Sequence, residues 1–352
     1  MGKQQVRSGE ELNEALLLKY LRENELITTV ESDLAVQQFT HGYSNLTYLL
    51  TIQEKEFVLR KPPMGVVRRG HDMHREFTVQ SALKEVFPKV PKMHAFTDDT
   101  TILGSQFYVM EKVEGIILNY NEATTRTMGV KDYKTIANSW LDTFVELHQV
   151  DYSAIGLSNL GTPAGYVERQ VTNWGKQYLK AKSAEFPEAA IVMNWMQENQ
   201  PKEYHHCLIH NDYKYDNIVF KDDSWLQVSA VLDWEMATLG DPLMDLGTSL
   251  GYWTVATDPD FMKSGIPSPT IFEGNPIRSE MAEMYANKSG RDVANLVFYY
   301  VFGLFKIAVI AQQIYDRYQK GFTSDPRFAH LNKAAELCCK LAVKAIKTKK
   351  ID

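Results

Sequence analysis

Short apolar runs set off by polar turns read as strands along the first third of the chain, with a helical pattern near its start and another over 72–83, and helical spacing follows beyond it. Residues 35–39 and 47–52 read as strands flanking the polar turn His41-Gly42-Tyr43-Ser44-Asn45. Residues 56–60 form a third expected strand, reached through a polar turn over 53–55 and ending at Arg60. A helix is expected over 72–83, with Phe77, Val79 or Gln80, and Leu83 on its buried side and Glu76 one turn in. Two further strands fall at 90–96 and 107–115. Near the N-terminus, Ser8-Gly9-Glu10-Glu11 fits a capping box that would start a helix before Leu12, Leu16 to Leu18 and Leu21. Beyond Gly115, Ile136, Trp140, Phe144 and Leu147 recur at helical spacing and end at His148, which reads as a packed or capping histidine. The pattern predicts an α+β chain with a small hairpin-rich antiparallel lobe over 1–114 and a larger, mostly helical lobe over 115–352.

Length agrees with two lobes, since 352 residues exceed what one hydrophobic core usually serves. The longest apolar stretch, 296–305, continues after Lys306 through 307–311, and that lysine favours a buried helix over a membrane span. Hydrophobic residues at 44% and charged residues at 23% are ordinary for a soluble globular protein, and residues 1–7 hold no apolar signal core. Cys207, Cys338 and Cys339 form no CxxC pair and read as reduced thiols of a cytoplasmic protein. A net charge of −6 offers no footprint for nucleic acid. No feature fixes an oligomeric state.

The candidate chemistry lies at 208–235. His210, Asp212, Lys214 and Asn217 stand in the pattern H-x-D-x-K-x-x-N, the spacing of a kinase catalytic loop, and Asp233 follows the apolar pair Val231-Leu232. Phosphoryl transfer from ATP needs a carboxylate to take the proton of the attacking hydroxyl and oxygen ligands for Mg²⁺. Asp212 suits the first task, with Lys214 beside it, and Asn217 and Asp233 suit the second. The expected strands at 207–209, 217–220 and 226–232 would place these groups at strand ends. After Asp233 neither D-F-G nor a long activation loop ending in A-P-E is present, which argues against a protein substrate.

The remaining positions follow the same logic. Ser44 and Asn45 would offer N–H groups and short side chains to phosphates. Arg60 stands where the kinase pattern V-A-I-K puts its phosphate-binding lysine, and Glu76 is its expected partner on the next helix. Met110, Glu111 and Val113 occupy the exit strand, where kinase-like folds place the hinge that pairs with adenine.

His210 to Asn217, Leu232-Asp-Trp-Glu235 and Gly240-Asp-Pro-Leu-Met-Asp-Leu246 resemble the aminoglycoside phosphotransferase and choline kinase superfamily. The resemblance is closest to the branch also found fused to acyl-CoA dehydrogenases, and it covers nearly the whole chain. It implies a bilobal protein-kinase-like fold, ATP or GTP with Mg²⁺ as cofactors, and a small-molecule hydroxyl as acceptor, a hydroxyacyl thioester or related hydroxy acid in first place. Where that branch has paired glycines before Ser-Asn, this chain has Gly42 alone.

Other chemistries were weighed. An aminoglycoside or amino-alcohol acceptor suits the acidic balance, and Trp174, Tyr178, Trp195, Tyr252 and Trp253 could line a pocket. A non-catalytic nucleotide-binding pseudokinase is a further class, which the presence of Asp212, Asn217 and Asp233 disfavours. His71-Asp72 with His74, or His205-His206 with His210, would need ligands that the sequence does not supply at metal-binding spacing.

Overall fold

The computed structural model describes residues 3–28, 33–39, 45–63, 72–181, 186–321 and 326–352. Two compact units divide the chain: Met1–Ile117 with Ser229–Ala237, and Leu118–Val228 with Thr238–Asp352.

An antiparallel sheet organises the first unit. Its strands are β1 (Lys3–Gln4), β2 (Leu34–Phe39), β3 (Leu46–Ile52), β4 (Lys55–Lys61), β5 (Met93–Thr97) and β6 (Phe107–Glu111), in spatial order β1-β2-β3-β4-β6-β5. Alternation along β4 gives the sheet two different faces. Phe57 and Leu59 join Tyr48, Leu50 and Phe107 against Leu17, Tyr20 and Leu21 of helix α1 (Glu14–Glu23). Val58 turns the other way, onto Met73 of helix α2 (Met73–Leu83), together with Tyr108 and Met110 of β6.

Arg60 therefore falls on the α2 face. Lys61 falls on the opposite face, where its Nζ donates to the Leu103 carbonyl at 2.6 Å, at the end of the short helix α3 (Thr100–Leu103).

The capping box expected at Ser8 does not start a helix. Gly9 sits at φ +87°, and its N–H donates to the Glu11 carboxylate at 2.8 Å, so this stretch is a turn. Asn13 is the N-cap instead, accepting from the Leu16 N–H.

Helices form most of the second unit: α4 (Tyr120–Thr125), α5 (Val130–His148), α6 (Tyr166–Ala181), α7 (Pro187–Glu198), α8 (Pro242–Gly251), α9 (Asp260–Gly265), α10 (Arg278–Ser289), α11 (Leu296–Gln319) and α12 (Leu331–Thr348). α11 is long and apolar enough to cross a membrane by length and composition, yet it is largely buried, packed against α6, α7, α8 and α12. Its crossing with α8 is set by two glycines. A Cβ on Gly303 would lie 2.2 Å from the Gly247 carbonyl oxygen, and one on Gly247 would lie 2.2 Å from that of Tyr299. Only hydrogen fits there, so the two helices meet backbone to backbone.

Gly303→Ala should accordingly destabilise the second unit by about 1–3 kcal/mol, even though alanine is the better helix former. Urea unfolding followed by far-UV circular dichroism would check this. An unchanged midpoint would show that the helices can part at no cost.

Candidate active site

The H-x-D-x-K-x-x-N loop leaves the short strand Cys207–Ile209, which pairs antiparallel with Thr238–Gly240 in the second unit. Its residues alternate in direction. Tyr213 and Tyr215 point inward: Tyr213 donates to the Trp140 carbonyl at 2.9 Å and stacks on Phe144, and Tyr215 donates to Asn275 at 3.0 Å. Asp212 and Lys214 are only partly buried. The Asp212 carboxylate accepts from Lys214 Nζ at 2.8 and 3.0 Å and from Asn217 Nδ2 at 2.9 Å. Asn217 Nδ2 also reaches the Asp212 carbonyl at 2.9 Å. Both bonds use the amide nitrogen of Asn217, which leaves its oxygen as the atom able to bind a cation. Burial opposes the charge on Lys214, but Asp212 outweighs it and holds the ammonium well above its usual range.

Asp245, in the first turn of α8, fixes the loop from beneath. Fully buried, it accepts the backbone N–H of His210 at 2.6 Å and of Asn211 at 2.8 Å. His148 Nε2 lies 3.2 Å from the same carboxylate, and His148 Nδ1 lies 2.9 Å from the Tyr285 hydroxyl. A carboxylate only accepts, so Nε2 donates; burial favours the neutral imidazole, in which Nδ1 accepts from the Tyr285 hydroxyl. Burial lowers the His148 pKa in spite of Asp245. Burial alone would raise Asp245, but His148, His210 and the His210 N–H bring it below the ordinary carboxylate value.

The first unit holds a second polar cluster. Arg60 Nη1 lies 3.1 Å from Glu76 Oε2, and Nη2 lies 3.1 Å from Asp233 and 3.7 Å from Glu235. Glu76 also accepts from the Tyr108 hydroxyl at 2.7 Å, and Asn45 Nδ2 donates to Glu235 at 2.9 Å and to Glu76 at 3.3 Å. Burial penalises the Arg60 charge, yet Glu76, Tyr108, Asp233 and Glu235 together keep it firmly protonated. Glu76 is raised by burial and by Asp233, against the pull of Arg60 and Tyr108.

Asp233 reaches this cluster because Ser229–Ala237 folds with the first unit. Val231 N–H donates to the Lys89 carbonyl at 2.8 Å, Trp234 packs on Phe87, and Arg75 binds the Ala237 carbonyl at 2.7 Å. Asp233 itself takes a left-handed conformation, φ +70°.

Arg60, Glu76, Asn45 and Asp233 thus come together in the first unit, and Asp212, Lys214 and Asn217 in the second. Met110 and Glu111 close β6. The Glu111 N–H is taken by the Lys92 carbonyl at 2.8 Å, while Val113 follows half-buried. Ser44 lies outside the described residues, as do His41 to Tyr43 and His71. Trp174, Tyr178 and Trp253 are buried, and Lys214 Nζ sits 4.8 Å over the Tyr252 ring. Sequence reasoning gave no role to Glu235, Tyr108 or Asp245. Two of them lie within the quoted motifs, at Leu232-Asp-Trp-Glu235 and Gly240-Asp-Pro-Leu-Met-Asp-Leu246, where an acid inside an apolar context is the available signal.

This geometry is that of a kinase-like phosphotransferase fold. The profile of the phosphotransferase enzyme family matches residues 35–266, and the chain belongs to that family. Acyl-CoA dehydrogenase family member 11 of Rattus norvegicus is 37% identical over 297 residues, covering 83% of this chain and 37% of the relative. Member 10 of Mus musculus is 31% identical over 348 residues, covering 96% and 31%. The chain spans about a third of the length of these curated relatives. Among solved structures, a Ralstonia eutropha protein provisionally named an aminoglycoside phosphotransferase superposes with a TM-score of 0.78 at 28% identity, covering 96% of this chain and 99% of that one. Choline kinase of Cryptosporidium parvum superposes with a TM-score of 0.65 over 96% and 98%, and at 10% identity that likeness is one of fold.

Asp245→Asn would turn an amide N–H₂ toward donors that need an acceptor, and should cost about 3 kcal/mol of stability. The contribution of His148 and Asp245 to stability should also fall on acidification. His148 and Asp245 both have folded pKa values below their unfolded ones, so the unfolded state binds the extra protons as pH drops through about 6.5 and then about 4. Denaturation of the wild type, Asp245→Asn and His148→Gln at about pH 7.5 and about pH 5.5 would measure both effects, and a gap between wild type and His148→Gln that stays the same at the two pH values would contradict the assignment of neutral His148.

Proposed function

We propose that the chain transfers the γ-phosphoryl group of ATP, as its Mg²⁺ complex, to a hydroxyl group of a small molecule. The observation that carries this reading is the Asp212 carboxylate, held by Lys214 and Asn217 in a partly open loop whose backbone is pinned by the buried Asp245. A carboxylate so placed can orient an acceptor hydroxyl and take its proton, and Lys214 beside it can meet the transferring phosphate.

The donor atoms fit Mg²⁺, which takes hard oxygen ligands and is usually bound by one or two protein groups plus substrate phosphates. Asn217 Oδ1 and the Asp233 carboxylate would hold it, and bound Mg²⁺ neutralises charge on the phosphates. The Arg60 guanidinium lies beside the Glu76, Asp233 and Glu235 carboxylates. Arg60, oriented by Glu76, would contact phosphate, and 110–113 would serve as the adenine hinge.

ADP, GDP and ATP complexes among the structural neighbours support a nucleotide donor. The acceptor class proposed is a hydroxyacyl thioester or related hydroxy acid, which the acyl-CoA dehydrogenase relatives favour. Lys214, the cation at the base, favours it over a polycationic aminoglycoside.

ATP consumption against a panel of hydroxyl acceptors tests the reading directly, and no consumption with any of them would refute it. Asp212→Asn should keep nucleotide affinity and lower turnover by ~10²–10⁴. Asp233→Ala should raise the Mg²⁺ requirement, and Asn217→Ala should do so more mildly, since it removes a neutral ligand. Arg60→Ala and Glu76→Gln should not be additive, because the two side chains act as one unit; fully additive losses would separate them.

A further inference from the structure

Asn211, immediately before Asp212, has an unusual backbone. Its φ is +67°, a left-handed conformation that asparagine tolerates but that must be held by its surroundings. Three helices grip it. Its N–H donates to Asp245 of α8 at 2.8 Å, and its side-chain Nδ2 donates to the Tyr166 hydroxyl of α6 at 3.3 Å. Its carbonyl and its side-chain oxygen both accept from Lys306 Nζ of α11, at 2.7 and 3.3 Å.

Lys306 is the anomaly here. It is 1% exposed in the middle of the long apolar helix α11. Its Nζ is bonded to neutral oxygens of Asn211, with the Trp174 ring 5.8 Å away. Burial lowers its pKa to about 8, although Asp245 and Asp212 act to raise it, so the ammonium is still charged at neutral pH. Burying such a charge is expensive, and an apolar residue of similar volume at such a position is often neutral or stabilising. Fold stability alone therefore gives no reason for a lysine here.

We infer that Lys306 is a positioning residue for the proposed phosphotransfer, fixing the Asn211–Asp212 peptide so that Asp212 meets the acceptor. That peptide is planar, with the Asn211 carbonyl at one edge and the Asp212 N–H at the other. Lys306 holds the carbonyl, and His210 Nδ1 accepts the N–H at 3.2 Å. With both edges held, the Cα of Asp212 cannot swing. Without Lys306 the plane is free at its carbonyl edge, a buried acceptor loses its donor, and Asp212 shifts although nothing that touches nucleotide has changed.

This inference rests on the phosphotransfer reading, and the experiment keeps the two apart. The wild-type chain, Lys306→Met, Lys306→Gln and Lys306→Arg are compared by Mg·ATP turnover with the same panel of hydroxyl acceptors and with water, by calorimetric Mg·ATP affinity, and by amide hydrogen exchange over 208–214. Lys306→Met should lower kcat about a hundredfold, the usual consequence of a small misplacement, with Mg·ATP affinity within about twofold. Exchange in 208–214 should become roughly tenfold faster, while the melting midpoint falls by no more than roughly 5 °C, because the lost hydrogen bond is offset by the charge no longer buried. Lys306→Arg should recover part of the loss, and Lys306→Gln, too short to reach the carbonyl, should not. If Lys306→Met does not fold, Lys306→Gln carries the same expectations. Wild-type kcat in Lys306→Met, or unchanged exchange over 208–214, would overturn the inference and leave the phosphotransfer reading intact. A wild type that turns over no ATP sinks that reading. In that case faster exchange in the variant still supports the role of Lys306 in holding the loop, and unchanged exchange refutes it.

Discussion

The second unit depends on two helices that touch through their backbones. With hydrogen alone at Gly247 and Gly303, α8 and α11 approach more closely than side chains would permit. Asp245 lies half a turn before Gly247 on one helix, and Lys306 one turn after Gly303 on the other. The close crossing brings both to Asn211, one to its N–H and one to its carbonyl. A wider crossing would leave two buried polar groups short of a partner, at a cost of about 1–3 kcal/mol each. The packing constraint and the loop geometry are therefore one problem with one solution.

Both clusters show how charge is tolerated at low exposure. Around Asp245 every bond is a donor aimed at one carboxylate, which remains ionised because four hydrogen-bonding and charge contributions outweigh its burial. Around Arg60 the balance runs the other way, with several carboxylates sharing one guanidinium, so that the innermost, Glu76, is shifted toward its protonated form. One arrangement fixes backbone. The other leaves negative charge unspent.

The sheet and helices of the first unit are legible in the sequence because β4 is a short apolar run ending at Arg60 and Asp72 caps α2, which puts Arg60 and Glu76 on facing surfaces. The first helix is less so. A serine followed three residues later by glutamate satisfies the capping pattern, but Gly9 makes a turn there, and the equally competent Asn13 starts the helix. Asp245 and Lys306 escape a linear reading for another reason. Their roles consist of contacts to a residue far away in the chain, and nothing local announces them except polarity in an apolar context. The same holds for the division of the chain, since apolar runs do not reveal which sheet or helix a later segment will pack on.

That division has a consequence for biosynthesis. Ser229–Ala237 completes the first unit, yet the ribosome makes all of Leu118–Val228 before it. Domains generally fold as they emerge, the N-terminal one first. Here the N-terminal one must wait. Until Asp233, Trp234 and Glu235 emerge, Arg60 lacks two of the three carboxylates around it and Phe87 lacks the Trp234 ring. The nascent sheet is thus an unfinished intermediate while all of Leu118–Val228 is made, and the order of synthesis, rather than the order of stability, decides when its polar cluster can close.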